Sequence, residues 1–344
     1  MPKRALITGV NGQDGAYLSK LLLEKGYEVF GAHRRTGNAG LPRLAELGIE
    51  AEVRSITFDL LESSNVHRLV EKVAPDEVYN LAGQSLITLS FEQPVYTGEA
   101  DAIGVARLLD AIHEVAPDAR FLQASTSEMF GHAPQARQNE ETPFHPRNPY
   151  GIAKLYGHWM TVNYREVYGA HNTSAITFNH ESPLRGTEFV TRKITASLAL
   201  LRHGGSEPLS LGNMESRRDW GFAGDYVEGM WRMVQEPVGD DYVLATGETH
   251  SVREFVEIAA VAAGFRLEWK GEGTSLHAVD HDSGRTLVRT DPAYYRPNEQ
   301  GLLVGDAAKA RARLGWSPTV SFESLVRMMI VADLDRVGNG LLRL

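Results

Sequence analysis

The sequence predicts an α/β protein, a doubly wound parallel sheet followed by a smaller C-terminal domain. Three observations carry that prediction. Short β-rich runs alternate with amphipathic segments through the first half, the pattern of right-handed βαβ crossovers. The first run ends in a turn with glycines at intervals of three, Gly9, Gly12 and Gly15, before a helical pattern. After Asn179 the rhythm loosens into longer pieces rich in Arg, Pro and Gly, such as His180–Thr187 and Thr290–Gly301.

Taken in order, Arg4–Thr8, Glu28–His33, Ile56–Leu60, Glu77–Ala82 and Arg120–Thr126 read as strands, with helices over Ala16–Lys25, Ser64–Val73 and Ala102–Val115 between them. A further helix begins near Pro149 and runs to about Tyr168, and a buried strand, Ser174–Phe178, follows it. The later part carries helices near Thr191–His203, Tyr226–Gln235, Ser251–Ala263 and Ser321–Asp335. This divides the chain into a first domain over 1–178, taking in about 206–244 as well, and a second that is mainly 179–344. With no repeat and no Gly/Ser linker between them, the expected site is the cleft where the two meet.

Composition narrows the function. At 344 residues, 42% hydrophobic and 23% charged, the chain is neither disordered, collagen-like nor a simple coiled coil. A net charge of −9 argues against nucleic acid or an anionic membrane as partner. The absence of cysteine excludes disulfides, thiolate catalysis and Cys-ligated zinc, and the histidines show no metal-ligand grouping, so no metal is expected. Ala5-Leu6-Ile7 is too short for a signal-peptide core and no long apolar stretch occurs, so a cytoplasmic location is expected.

The turn Gly9-Val10-Asn11-Gly12-Gln13-Asp14-Gly15 lies between strand and helix, where a cofactor pyrophosphate can approach bare backbone at a helix N-terminus. A loose glycine pattern also suits any tight turn. At the end of the second strand, where an acid usually binds the ribose hydroxyls of NAD, stands His33-Arg34-Arg35. Two guanidiniums there suit a 2′-phosphate, which favours NADP; the bland reading is a solvated basic turn. Asp59-Leu60 and Leu81-Ala82-Gly83-Gln84-Ser85 fall at the carboxyl ends of the third and fourth strands.

The fifth strand ends in Ser125-Thr126-Ser127-Glu128, and Tyr150 and Lys154 sit four apart on the helix that follows. That spacing puts phenol and ammonium on one face. A cationic neighbour stabilises phenolate and lowers a tyrosine from about 10 towards neutrality, making it a usable base.

Thr8-Gly9-x-x-Gly12-x-x-Gly15, Asn80-Leu81-Ala82-Gly83 and Tyr150-x-x-x-Lys154, in this order, resemble the extended short-chain dehydrogenase/reductase family over nearly the whole chain. Glu128 narrows the resemblance to its nucleotide-sugar dehydratases, because epimerases usually carry a small residue there. Asn179-His180-Glu181-Ser182-Pro183, Phe189-Val190-Thr191-Arg192-Lys193-Ile194, Arg217 to Tyr226, and Ala245 to Val252 resemble the GDP-mannose 4,6-dehydratase family.

The resemblance implies a Rossmann-type doubly wound sheet with a smaller C-terminal substrate-binding domain, tightly held NADP, and conversion of GDP-mannose to its 4-keto-6-deoxy product. Thr126, Glu128, Tyr150 and Lys154 are the implied catalytic residues. The cofactor would be held by Gly9, Gly12, Gln13, Asp14, Gly15, Arg34, Arg35, Asp59, Leu60, Leu81, Ala82, Gln84, Ser85, Tyr96, Tyr150, Lys154, His180 and Arg185. Ser85, Glu128, Asn179, Val190, Lys193, Arg218, Arg296 and Glu299 would meet the GDP-sugar, although any one of these arginines alone could be a surface charge. A homo-oligomer, dimer or tetramer, is implied too, but Thr36–Arg54 is shorter than the loop through which protomers of this family meet. Leu86 in place of a usual His, Gly83 in place of Ala, and Gln300-Gly301 in place of an acidic pair leave open a related substrate such as a GDP-manno-heptose. A GDP-sugar epimerase or reductase is the rival reading within the fold.

Overall fold

The structure, a computed structural model, describes residues 1–35, 40–294 and 302–342. It divides into two compact units, the first made of Met1–Phe178, Ala223–Gly247 and Leu303–Pro318, the second of Asn179–Phe222, Glu248–Leu302 and Thr319–Leu344. Among the described residues no helix is long and apolar enough to cross a membrane.

The chain runs β1 (Arg4–Thr8), α1 (Gln13–Glu24), β2 (Glu28–His33), α2 (Pro42–Glu46), β3 (Arg54–Thr57), α3 (Ser63–Val73), β4 (Glu77–Asn80), α4 (Ile87–Glu92) and α5 (Pro94–Gly98). A wide π turn, Glu99–Ile103, continues α5 into α6 (Gly104–Val115), followed by β5 (Arg120–Thr126), a single 3-10 turn (Ser127–Met129), α7 (Pro149–Tyr168) and β6 (Asn172–Thr177). Then come β7 (Asn179–Glu181), α8 (Val190–Arg202), β8 (Leu209–Leu211), β9 (Arg217–Arg218), β10 (Trp220–Phe222), α9 (Ala223–Gln235) and β11 (Asp241–Leu244). The rest is β12 (His250–Ser251), α10 (Val252–Ala262), β13 (Leu267–Lys270), β14 (His277–Asp280), β15 (Thr286–Thr290), α11 (Ala308–Leu314) and α12 (Phe322–Gly338).

The first unit is built on a seven-stranded parallel sheet in the order β11-β6-β5-β4-β1-β2-β3. The order reverses at β1, which pairs with β2 on one side and β4 on the other. That reversal opens a crevice at the carboxyl ends of the strands, the binding place of a doubly wound sheet. The strands read as apolar runs because helices cover both faces. Ala5, Leu6 and Ile7 are fully buried, and Leu6, Val78 and Phe121 pack with Val66, Leu69 and Val70 of α3 and Leu108, Leu109 and Ile112 of α6.

Of the boundaries that differ from expectation, three have a local reason. The third strand spans Arg54–Thr57 rather than Ile56–Leu60, because the Asn65 side chain takes the Asp59 N–H (2.8 Å) and ends the ladder. Regular pairing of the fourth ends at Asn80, because past Leu81 N, which still donates to Thr8 O (3.2 Å), Ala82 N turns to the Thr8 hydroxyl (3.2 Å) instead of a backbone carbonyl. The helix expected from Ala102 begins at Pro94, and its register is broken by the π turn at Glu99–Ile103.

The second unit has a four-stranded sheet, β13-β14-β15-β8, antiparallel except for the parallel β15–β8 pair. Two ribbons, β7–β10 and β9–β12, accompany it. Its core joins Ile194 and Leu198 of α8, Phe255 and Val256 of α10 and Leu325 and Met329 of α12. Ser251 and Glu254 form a capping box that starts α10.

Candidate active site

At the crevice of the first unit the glycines are sterically required. Gly9 has φ +72°, and a Cβ on it would lie 2.8 Å from the backbone of Leu81 and Ala82, while one on Gly15 would lie 2.6 Å from Gly9 O. The β1–α1 and β4–α4 connections therefore close on each other only through bare backbone. Gly12 is the N-cap of α1 and supplies no side chain to the first turn, so that turn can present its N–H groups to an anion. Gln13 and Asp14 open the helix, and Asn11 O accepts from Arg43 (2.8 Å).

Arg34 and Arg35 follow β2 directly, and Arg34 Nη1 donates to the Tyr96 hydroxyl of α5 (2.5 Å). Asp59 uses Oδ1 to accept from Leu61 N (3.0 Å), closing the turn after β3 and holding Leu60. Leu81 and Ala82 continue β4 by donating to Thr8 O and Thr8 Oγ1, both 3.2 Å. Gln84 turns inward, accepting at Oε1 from Leu86 N (2.5 Å), with Ser85 between them. The strand ends thus provide backbone amides, a capless helix start and a guanidinium in the places a dinucleotide phosphate needs; the donor set fits such a group.

The second cluster forms where β5 meets α7. Asn148 precedes Pro149, and its Oδ1 accepts from Gly151 N (2.7 Å), an N-cap that starts α7 just before Tyr150. Its Nδ2 donates to Glu128 Oε2 (2.8 Å), so one buried amide both caps the helix and aims the carboxylate. Gly151 permits this closeness: a Cβ there would lie 2.7 Å from Glu128 O. The intervening loop is pinned by buried Gln138, which bonds to Val304 and Asp306 at 2.8 Å, and by His145 N donating to Met129 O (3.0 Å). Thr126 ends β5 and accepts at Oγ1 from Glu128 N (3.3 Å).

Lys154 lies one turn after Tyr150, its Nζ 5.8 Å from the phenol ring centroid and donating to Ala124 O (3.0 Å). Burial pushes the Lys154 pKa down, with Asp101 and then Asp14 pulling it back up. A desolvated ammonium beside a phenol favours phenolate, and a carboxylate held nearby on the neighbouring turn gives a second, separately placed base.

The predicted residues of the second unit sit on its own elements. Asn179 and His180 lie on β7, in register with Trp220 and Gly221 of β10. Arg185 forms an ion pair with Glu181 (3.2 Å) and lies over the Phe189 ring (3.5 Å). Its loop is held by buried Arg192, which donates to Pro183 O and Arg185 O and pairs with Asp333 (2.7 Å). Val190 opens α8 and Lys193 follows one turn on, its Nζ 4.4 Å from the Tyr294 ring centroid. Burial pushes the Lys193 pKa down, against the pull of Asp291. Arg218 is on β9, opposite His250. Arg296 and Glu299 lie outside the described residues.

Sequence reasoning missed Asn148, although an Asn before the Pro that opens a helix is a readable cap. It also missed Asp101, whose position depends on the π turn. Asn148→Ala should lower stability by about 1 kcal/mol through the lost cap and slow turnover by roughly tenfold through the freed Glu128. Thermal midpoint and steady-state rate, measured together, check this; a full rate would separate the cap from the carboxylate.

The sequence model of the GDP-mannose 4,6 dehydratase family matches residues 6–329. The chain is 50% identical over 340 residues to a GDP-mannose 4,6-dehydratase of Sinorhizobium fredii, covering 97% of each. It is 47% identical to the Drosophila melanogaster GDP-mannose 4,6 dehydratase, covering 97% of this chain and 86% of that one. Among solved structures, RMD from Pseudomonas aeruginosa complexed with NADPH superposes with a TM-score of 0.77 at 23% identity, covering 97% and 99%. The Thermus thermophilus UDP-glucose 4-epimerase complex with NAD gives 0.78 at 25%, covering 96% and 98%.

Proposed function

The chain belongs to the GDP-mannose 4,6-dehydratase family, and from that premise we infer that it converts GDP-D-mannose to GDP-4-keto-6-deoxy-D-mannose with loss of water. The observation that carries the reading is Glu128, held by Asn148 at the end of β5 beside the helix turn that bears Tyr150 and Lys154. An epimerase or a simple reductase has no use for that second base.

The cofactor is a nicotinamide dinucleotide, and NADP is the form favoured here, because the chain places Arg34 and Arg35 where NAD enzymes carry an acid. When bound, it supplies a reversible redox step between C4 and C6 of the sugar and ends as it began. Gly9, Gly12, Gly15 and the first turn of α1 would hold its diphosphate, and Asp59, Leu60, Leu81, Ala82, Gln84 and Ser85, at the strand ends, would hold the rest of it.

Tyr150, as phenolate beside the Lys154 ammonium and near Thr126, takes the proton of the C4 hydroxyl as C4 becomes a ketone. The ketone acidifies the C5 hydrogen, which Glu128 removes and delivers to the departing C6 hydroxyl, releasing water. The proton kept on Tyr150 restores C5, so both residues return to their starting state. In the second unit, Asn179, Val190, Lys193 and Arg218 are assigned to the GDP-sugar, and His180 and Arg185 to the cofactor. Guanidinium and ammonium groups suit its anionic end, which a chain of net charge −9 must attract locally.

A homo-oligomer belongs to the same reading. Ile152, Tyr156 and Trp159 are exposed on one stripe of α7, a large apolar strip that a second copy of the chain covers by two-fold pairing.

Product identity tests the function: nuclear magnetic resonance of the sugar after turnover should show a C6 methyl group and a C4 ketone, whereas an intact hydroxymethyl group would contradict it. Arg34→Ala should weaken NADP about tenfold or more while leaving NAD nearly unchanged, the loss of one charge-assisted contact. Equilibrium titration with both dinucleotides checks this, and an unaltered preference would reassign the 2′-phosphate site.

A further inference from the structure

The buried carboxylate of Asp101 has no part in the steps above. It sits on the π turn Glu99–Ile103, 1% exposed, although an ionisable group is expensive to bury. Its Oδ1 accepts from Gln84 N (2.8 Å), and among the described residues its Oδ2 has no hydrogen-bond partner. Two glycines make the surroundings. A Cβ on Gly83 would overlap Asp101 Oδ1 and lie 3.5 Å from Lys154 Nζ, so carboxylate and ammonium flank a position that bare backbone leaves open. A Cβ on Gly157, one turn beyond Lys154, would lie 3.1 Å from Asp101 O, so α7 comes down directly onto the π turn. Wide turns of this kind recur where a helix must redirect one side chain at a functional site.

Resting on the dehydratase reading, we propose that Asp101 is a positioning residue for the reaction: its buried carboxylate keeps the Lys154 ammonium charged and in place, and through it the Tyr150 phenolate.

Lys154 on α7 is the cation acting on Asp101, and Asp101 and Asp14 of α1 are the anions acting on Lys154. On α6, Arg107 is engaged with Glu99 of the π turn (2.9 Å), and on α5 the Tyr96 hydroxyl accepts from Arg34. Burial raises the Asp101 pKa to about 6, against the pull of Lys154 and of the Gln84 N–H, so the carboxylate is charged at neutral pH and above. Two effects on Tyr150 oppose each other. An anion nearby disfavours phenolate directly, and by holding Lys154 charged it favours phenolate. A Cβ on Gly83 would meet both Asp101 Oδ1 and Lys154 Nζ, which places the carboxylate at close range to the ammonium, and burial already pushes the Lys154 pKa down, so the second effect wins.

The test is Asp101→Asn, which keeps an acceptor for Gln84 N–H and removes only the charge. Two readouts are taken. One is the pH profile of kcat/KM for GDP-mannose; the other is phenolate absorbance of the protein minus that of the matching Tyr150→Phe protein, which reports Tyr150 alone and needs no substrate. In Asp101→Asn both midpoints should move up by about one pH unit, a tenfold loss on the acid side that closes at alkaline pH, with KM unchanged. In a Lys154→Met background the same substitution should produce no upward shift. Midpoints that stay or move down, a rate lowered equally at every pH, or a variant that does not fold would each make Asp101 a structural residue only. If the unaltered protein leaves GDP-mannose intact, the function reading falls while the absorbance titration still decides the role of Asp101.

Discussion

Glu128→Gln forms the 4-keto-6-deoxy sugar about a thousandfold more slowly, within the 10²–10⁴ that a placed acid–base group contributes. The substitution is nearly isosteric, and a glutamine Oε1 still accepts from Asn148 Nδ2, so the start of α7 and the bond that now spans 2.8 Å are kept. What is lost is the ability to take the C5 proton and hand it to the leaving C6 hydroxyl. Exchange of the C5 hydrogen with solvent deuterium isolates that step. The unaltered protein should incorporate deuterium at C5 and Glu128→Gln should not, while equilibrium binding of GDP-mannose stays within a few-fold. Normal turnover in the variant would remove Glu128 from the mechanism.

Tyr150→Phe has an effect of the same size or larger, because without a base at O4 the C4 ketone never forms and the C5 hydrogen is never acidified. The ring remains, so its contact with Lys154 across 5.8 Å and the packing of α7 are retained and the fold should be unchanged. A loss of about a thousandfold in kcat, with no deuterium entering C5 either, distinguishes it from a binding defect. Retention of more than about a tenth of the activity would mean that Thr126 or a water, not the phenol, faces O4.

The first unit was readable because its strands are short apolar runs buried on both faces: β1, β2, β5 and α7 fall where the sequence places them. The second sheet was not. β13 alternates half-buried and exposed residues over Leu267–Lys270, and β15 pairs in parallel with β8, far back in the chain, so neither length nor pattern announces the pairing. In the site, Tyr150 and Lys154 were legible from helical spacing, and Glu128 from the family resemblance. The bond from Asn148 to Glu128 was not, since it depends on how the loop between them is pinned by Gln138. Asp101 was hidden more deeply: a helix read at regular pitch from Ala102 omits the π turn that turns it inward.

The dehydratase reaction is tested most simply by the mass of GDP-mannose after incubation with the protein and a trace of NADP. Loss of one water per sugar nucleotide is expected, with no net reduction of the cofactor. An unchanged mass, or a product formed only in proportion to the cofactor supplied, would contradict internal redox and the dehydratase assignment with it.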